Sequence, residues 1–178
     1  MHIAVFCGSS MPHNKEIVEA AAALGRRIAQ EGHTLVYGGS NLGLMGIVSG
    51  AALEAGGRVV GVIPTLFSDD IIHSQRVTEL VRVRSMAERK EYIIARSDAF
   101  VALPGGIGTL DEVLEVMVAN QLKRIDKPIA LYNPDGFFDP FIQQIDRMGA
   151  EGFFRHGIRP SLIVSDSLEE ILTQTTHP

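Results

Sequence analysis

The sequence has one cysteine, scattered histidines and no long apolar run. These absences argue against a disulfide-bonded protein, a metal site and a membrane span. A lone cysteine, Cys7, excludes an internal disulfide. The six histidines lack the spacing of metal ligands, so we predict no metal site. No apolar run reaches membrane-spanning length, and the N-terminal stretch MHIAVFCGSS lacks a basic leader. We therefore expect a cytoplasmic protein with no membrane association.

An excess of basic charge is also absent. The formal net charge is -5 at pH 7, which argues against broad electrostatic binding to nucleic acid. This balance still allows a local basic site for one small anion. We expect a small molecule as the partner, and no nucleic acid.

Short apolar segments rich in β-branched residues alternate with segments of helical period, which predicts an α/β fold. The seven predicted strands are HIAVFC, TLVYGG, RVVGVIP, LVRVRS, AFVALP, PIALYN and SLIVSD, and the six predicted helices cover 14–31, 43–56, 86–96, 109–123, 138–149 and 167–174. Such alternation implies a mainly parallel sheet with helices on both faces. The length fits a single domain over residues 1–178. The least periodic stretch, 66–78, is predicted to be a mobile loop over the site.

Three turns rich in glycine or serine follow predicted strands, at the sheet edge where such folds bind ligands. They are CGSS at 7–10, YGGSNLGLMG at 37–46 and LPGGIGT at 103–109. Glycine lets a ligand approach the backbone, and the next helix presents unpaired N–H groups, so phosphate is the expected ligand. The alternative is that these glycines only make tight turns. No P-loop or dinucleotide-binding motif occurs, which disfavours a P-loop NTPase and an ordinary NAD dehydrogenase.

Two interpretations account for Thr109 and Glu112. As a capping box, Thr109 would be the N-cap of the helix and Glu112 its third residue. The apolar residues of this helix share one side, roughly opposite Glu112; they are Leu110, Val113, Leu114, Met117 and Val118. We therefore predict that Glu112 faces solvent or a ligand and is not part of the core.

A second polar cluster, Arg89 and Lys90, lies on the apolar side of the predicted helix 86–96. Positive charge is unfavourable near a helix N-terminus, and a buried charge needs a partner. The two cations either extend to solvent and form structural ion pairs, or they meet an acidic side chain and a bound anion. Glu112 and a phosphate on the turn before it are the candidates for these partners.

These motifs resemble those of the LONELY GUY (LOG) family, the cytokinin riboside 5'-monophosphate phosphoribohydrolases, long mislabelled as lysine decarboxylases. The family signature P-G-G-x-G-T-x-x-E is matched at every specified position by residues 104–112, and Met86, Arg89 and Lys90 match the M-x-x-R-K element. The turn at 37–46 resembles the family's Y-G-G-G-x-x-G-L-M-G. The likeness extends from VFCGSS through KPIALYN and GFFDP, so it covers most of the chain.

The resemblance implies a Rossmann-like three-layer fold, a homodimer, and hydrolysis of the N-glycosidic bond of an adenine nucleotide to free base and ribose 5-phosphate, with no cofactor. It makes Arg89 and Glu112 the catalytic pair. The other candidates bind substrate: Gly105, Gly106, Gly108 and Thr109 at the 5'-phosphate, Met86 and Lys90 along the site, and Ser9, Gly39 and Gly43 in the other two turns.

This chemistry suits the two proposed catalytic residues. Cleavage of a ribosyl bond develops oxocarbenium character, which a carboxylate such as Glu112 stabilises; the same group can activate water or attack the sugar. The guanidinium of Arg89 is permanently charged, so it would orient Glu112 and help to bind the substrate.

The chain departs from the family pattern at four positions. Ala87 replaces a frequent histidine, Ser40 replaces a glycine, and Val118 and Ala119 replace a Thr-Trp pair. From these changes we predict a wider or differently shaped base pocket. The expected substrate is then a purine nucleoside 5'-monophosphate that carries adenine or an N6-modified adenine.

Three other functions compete with this one. A non-catalytic nucleotide or cofactor carrier, like the molybdenum-cofactor carriers of the same fold, would keep the glycines without needing Arg89 and Glu112 together. A lysine decarboxylase would need a Schiff-base lysine and pyridoxal phosphate, and the chain has only four lysines. An interaction protein would use the glycines only for turns. The presence of both Arg89 and Glu112 favours the enzyme.

Overall fold

The computed structural model describes residues 1–67, 77–154 and 162–177. They contain one seven-stranded parallel sheet, in the order β4-β3-β2-β1-β5-β6-β7. Its strands are β1 His2–Phe6, β2 Thr34–Tyr37, β3 Arg58–Pro64, β4 Glu79–Val83, β5 Ala99–Ala102, β6 Ile129–Tyr132 and β7 Leu162–Ser165. The predicted α/β, Rossmann-like class is confirmed. The loop predicted at 66–78 lies mostly outside the described residues.

The described residues also form six α-helices, which connect or follow the strands, and each helix lies within two residues of its predicted bounds. They are α1 Lys15–Gln30, α2 Gly43–Glu54, α3 Met86–Arg96, α4 Ile107–Gln121, α5 Asp139–Ala150 and α6 Leu168–Thr176. One face of the sheet packs against α1, α2 and α6, and the other face packs against α3, α4 and α5. The molecule therefore has three layers with a core on each side of the sheet.

Helix α1 shows how the sequence pattern produces this packing. Its buried face includes Ile17, Ala21, Leu24 and Ile28, which recur at intervals of three and four residues and so share one side of the helix. The side chain of Asn14 accepts a hydrogen bond from the backbone N–H of Glu16 at 2.9 Å and caps the first turn. Local signals were sufficient to define this helix.

The strand order places the three glycine turns side by side. The strands that follow β1 and those that follow β5 are added on opposite sides of this central pair. The connections that leave β1 and β5 therefore lie on opposite faces of the sheet, and a crevice opens between the two strands. The N–H of Leu103 donates to the carbonyl of Phe6 at 2.9 Å, where β5 and β1 end. The N–H of Leu44 donates to the carbonyl of Gly8 at 3.0 Å, which joins the second turn to the first.

The described residues lack the features of two other classes of protein. None of the described helices is both long and apolar enough to cross a membrane. In this part of the chain, no three histidine, cysteine, aspartate or glutamate side chains are placed to hold a metal ion together. The single domain and the cytoplasmic location stay predictions.

Candidate active site

Arg89 of α3 and Glu112 of α4 form a buried ion pair. Nη1 of Arg89 donates to Oε1 of Glu112 at 2.8 Å, and Nε donates to the carbonyl of Val62 in β3 at 3.1 Å. Only 9% of the Arg89 side chain and 11% of the Glu112 side chain are exposed. Two directed hydrogen bonds therefore fix the guanidinium, which in turn orients the carboxylate.

Gly38, directly after β2, makes room for this guanidinium. A methyl group at Gly38 would overlap Nη2 of Arg89 and would lie 2.8 Å from Sδ of Met45. Any side chain at this position would displace the arginine. The sequence analysis did not single out Gly38; its place as the first glycine after a buried strand was the available signal.

Burial governs the ionisation of the groups around the pair. Removal from water raises the pKa of Glu112 above its ordinary value, and the charges of Arg89 and Lys90 partly oppose this shift, whereas that of Asp111 adds to it. Burial and the neighbouring Glu112 charge also raise the pKa of the Cys7 thiol. The thiol is therefore neutral at physiological pH, and Glu112 takes up a proton more readily than a surface glutamate does.

The ion pair lies in a cavity of about 440 Å³ at the switch point of the sheet, within the range of about 300–1,000 Å³ typical of small-molecule sites. Seven predicted site residues line it: Ser9, Met86, Arg89, Gly106, Gly108, Thr109 and Glu112. The lining also includes residues that the sequence analysis missed, namely Cys7, Gly8, Gly38, Leu42, Met45, Ile63, Phe67, Ile107 and Asp111. Most of these lie within the three turns or the 104–112 signature, but neither the turns nor the family pattern assigned them a contact with the ligand.

The N-terminus of helix α4 faces this cavity and has no side-chain cap. It begins at Ile107 with Gly106 as N-cap, so Thr109 is its third residue and the capping-box interpretation is wrong. The side chain of Thr109 instead packs against Gly105, where a methyl group would overlap its hydroxyl oxygen. Methyl groups at Gly106 and Gly108 would meet no atom within 4 Å. Space for a ligand therefore exists beside the first turn of α4.

Three of the predicted substrate-binding glycines lie outside the cavity lining: Gly39, Gly43 and Gly105. Gly43 has a φ of +54°, and a methyl group there would lie 2.5–2.6 Å from backbone atoms of Ser9 and Ser10. The turn after β2 thus uses this glycine for close backbone packing. For these three glycines, the tight-turn alternative accounts for the residue type.

Lys90 also lies outside the lining, because it turns toward two other carboxylates of α4. Its Nζ lies 3.0 Å from Oδ2 of Asp111 and 2.8 Å from Oε2 of Glu115, and 17% of the side chain is exposed. The hydrogen bond to Glu115 raises the pKa of Lys90, and the one to Asp111 adds to this effect. The ammonium group is therefore held in its charged form.

The outward face of α4 differs from the sequence-based expectation. Leu114 and Val118 were placed on the apolar side expected to face the core, yet both are exposed. The buried face instead includes Thr109 and Glu112. The pattern has apolar residues around most of the helix, so its period could not show which side meets the sheet.

The four departures from the family pattern are spread over the molecule. Ser40 lines the cavity, and its Oγ accepts a hydrogen bond from the N–H of Leu42 at 3.1 Å. Ala87 and Val118 are exposed, and Ala119 is buried away from the cavity lining. Within one chain, Ser40 is the departure that touches the cavity.

Comparisons with known proteins agree with the motifs. A family model described as "Possible lysine decarboxylase" matches residues 45–175. The cytokinin riboside 5'-monophosphate phosphoribohydrolase LOG of Oryza sativa subsp. japonica is 41% identical over 170 residues, which are 96% of this chain and 70% of the relative. The Arabidopsis thaliana phosphoribohydrolase LOG5 is 39% identical over the same share of this chain and 75% of its own length.

Solved structures share the fold at lower identity. The molybdenum cofactor binding protein of Rippkaea orientalis superposes with a TM-score of 0.75 at 23% identity, covering 98% of this chain and 94% of that one. The molybdenum cofactor carrier protein of Chlamydomonas reinhardtii gives a TM-score of 0.74 at 23% identity, covering 98% and 95%. Likeness at this level of identity shows the fold alone.

Proposed function

This chain belongs to the LOG family, and we propose that it hydrolyses the N-glycosidic bond of a purine nucleoside 5'-monophosphate carrying adenine or N6-modified adenine. The products are the free base and ribose 5-phosphate. The observation that carries the proposal is the buried Arg89–Glu112 pair in a cavity that opens at the N-terminus of α4. The relatives named as phosphoribohydrolases support the reaction class.

The 5'-phosphate binds at the first turn of α4. This turn has no side-chain cap, and its N–H groups and the helix dipole attract an anion. Gly106 and Gly108 leave the necessary space, and Ser9 lines the cavity nearby. The substrate must therefore carry a 5'-phosphate.

Glu112 acts at the sugar, about one helical turn beyond the phosphate-binding residues. An ionised carboxylate stabilises the oxocarbenium character that develops at the anomeric carbon as the base departs. Burial favours the protonated acid, so the charge of Arg89 is what keeps Glu112 available as a carboxylate. The remaining donor capacity of the guanidinium contributes to substrate binding.

Apolar side chains form the part of the cavity that receives the base. Leu42, Met45, Ile63, Phe67 and Met86 line it. A purine ring and an apolar N6 substituent would be removed from water among them. Ser40 adds a polar group on this side of the cavity, which supports a base specificity that differs from that of family members with glycine there.

We also propose that the protein is a homodimer that packs through the outward face of α4. This face, which we call the α4 stripe, carries apolar residues at intervals of three and four positions: Ile107, Leu110, Leu114, Val118 and Leu122. Ile107 is 88% exposed in one chain. Leu110 is half-buried against the core, and the other four are exposed. Such a row of exposed apolar residues is typical of a protein–protein contact, and covering it would stabilise the assembly.

The competing functions fit the site less well. A lysine decarboxylase needs a deprotonated lysine beside its cofactor, yet Lys90 is held charged by two carboxylates, and the described cavity lining includes no lysine. A carrier would need the cavity but not a carboxylate buried at the cost of desolvation. The likeness to carrier structures supports the shared fold and no more.

The deciding experiment measures release of free base from a panel of nucleotides. AMP, isopentenyladenosine monophosphate and GMP are compared with adenosine and ATP, using the wild-type protein and Glu112→Gln. We expect release from adenine monophosphates alone, lost in the variant. Nucleotide binding without release from any compound would contradict the hydrolase and favour the carrier.

A further inference from the structure

Consecutive residues of α3 hold consecutive carboxylates of α4. Arg89 pairs with Glu112, and Lys90 pairs with Asp111, at 3.0 and 3.2 Å, and with Glu115 at 2.8 Å. Asp111 and Glu115 are one turn apart, so the single ammonium group spans both. The two cations together join α3 to the second and third turns of α4.

Apolar packing by α3 is not sufficient to hold the Glu112 carboxylate in place on the side that faces Lys90. The buried residues of α3 are Arg89 and Ile93. A gap too small for a water molecule lies between Lys90, Ile93 and Glu112, with Phe6 and Ile94 completing its border. The stem of Lys90 thus closes the space behind Glu112, and its withdrawal would leave the carboxylate room to move and would admit water.

The charged and titratable groups around Glu112 come from α3, from α4 and from the end of β1. Arg89 and Lys90 face it from α3, Asp111 lies beside it on α4, and the neutral Cys7 thiol faces it from the end of β1. Asp111 disfavours ionisation of Glu112 through like-charge repulsion, whereas Lys90 favours it and also neutralises Asp111. The removal of Lys90 would therefore leave the repulsion by Asp111 without an opposing charge on that side and would raise the pKa of Glu112.

We propose that Lys90 is a positioning residue for catalysis: it clamps α4 to α3 through Asp111 and Glu115, and thereby holds Glu112 against Arg89 as an ionised carboxylate. Lys90 does this without contacting the substrate. The inference rests on the proposed hydrolase function for its kinetic consequences, and its effect on Glu112 is measurable without substrate.

The kinetic test compares Lys90→Met, which keeps the stem and removes the charge, with Lys90→Arg, which keeps the charge. We expect Lys90→Met to lower kcat about tenfold with KM changed less than about twofold, and to move the acid limb of the kcat profile to higher pH. Lys90→Arg should restore most of the activity and the wild-type limb. The control, Arg27→Met in α1, removes a surface ion pair to Glu31, the residue after the helix, and should leave kcat and the acid limb unchanged.

A second test follows the Glu112 carboxyl group directly, by ¹³C NMR titration of the substrate-free protein. Lys90→Met should raise the titration midpoint of Glu112, and Asp111→Asn should lower it. If Lys90→Met does not fold, Asp111→Asn still tests whether the charges held beside Glu112 change its midpoint. In the Asp111→Asn background, Lys90→Met should shift the midpoint less than it does alone, since Asp111 helps to hold the Lys90 ammonium group near Glu112.

The outcomes separate this proposal from the proposed function. A shifted Glu112 midpoint in a protein that releases no base from any nucleotide would support the positioning role and overturn the hydrolase. Unchanged midpoints in both variants, with a kcat loss that Lys90→Arg does not restore, would overturn the positioning role even though hydrolysis occurs.

Discussion

Each face of helix α4 carries some residues of the type that usually lies on the opposite face, although the inward face also buries Val113, Val116, Met117 and Ala119. The inward face buries Glu112 and Thr109 near the end of the sheet, whereas the outward α4 stripe exposes Ile107, Leu114 and Val118. A helix that only filled the core would bury the apolar residues and expose the glutamate. This difference fits the two proposals made above, catalysis on the inward face and contact with a second copy on the outward face.

Each face carries an energetic cost that a different interaction offsets. The inward carboxylate loses hydration, and the ion pair with Arg89 and the clamp by Lys90 compensate for part of that loss. The outward apolar residues keep an unfavourable contact with water until another surface covers them. Changes on the two faces should therefore have different, separable effects.

The largest expected effect is the loss of the inward carboxylate. Glu112→Gln should lower kcat at least about 100-fold, because a neutral amide cannot stabilise positive charge on the sugar. The amide oxygen can still accept the hydrogen bond from Arg89, so the fold should be retained. The measurement is the rate of base release from AMP beside a thermal melt. Glu169→Gln, an exposed change in α6, is the control and should retain full activity.

The next prediction compares Gly105, which precedes α4 and packs closely, with Gly108, which lies in the first turn of α4 beside open space. Gly108→Ala places a methyl group in the open cavity and should raise KM about tenfold, equivalent to about 1.4 kcal/mol, with stability unchanged or improved by up to about 1 kcal/mol. Gly105→Ala would overlap Thr109 and should lower stability by about 1–3 kcal/mol. Kinetics and denaturant unfolding check both variants. Equal stability losses in the two would contradict the assignment of open space at Gly108.

A change on the outward face should affect assembly first. Val118→Glu puts a charge in the middle of the α4 stripe and should weaken the homodimer at least about tenfold, because burying an unpaired charge is unfavourable. Sedimentation velocity across a concentration series measures this. Gln144→Glu adds the same charge at an exposed position of α5 and should leave the assembly unchanged. A wild-type protein that sediments as a monomer throughout would refute the proposed dimer.

The smallest effect is a shift in the pH profile. The pKa of Glu112 is raised above the ordinary 4.5 by burial, and the reaction needs the ionised form. Activity should therefore fall as the pH is lowered through this raised pKa, beginning at a higher pH than an exposed glutamate would cause. The residual activity of Glu112→Gln should lack this limb. A limb at or below pH 4.5 would contradict the raised pKa.

Several residues of the candidate site could be predicted from short motifs in the sequence. Thr109 and Glu112 belong to a motif with fixed spacing, and Arg89 is a cation on an inward face that needs a partner. Gly38 and Lys90 were harder to interpret, because their roles depend on side chains that arrive from other elements. Gly38 is needed for the path of the Arg89 guanidinium, and Lys90 points at α4 and away from the cavity.

Local patterns were sufficient for the strands, the helices and the parallel class, because β-branched runs and helical periods act over short stretches of chain. The partnership of Arg89 and Glu112, which are 23 residues apart, depended on the strand order that brings α3 beside α4. The same holds for the orientation of α4, since apolar residues on most sides of a helix leave its rotation undefined until it packs against the sheet. Periodicity describes one helix, whereas burial is a property of its neighbours.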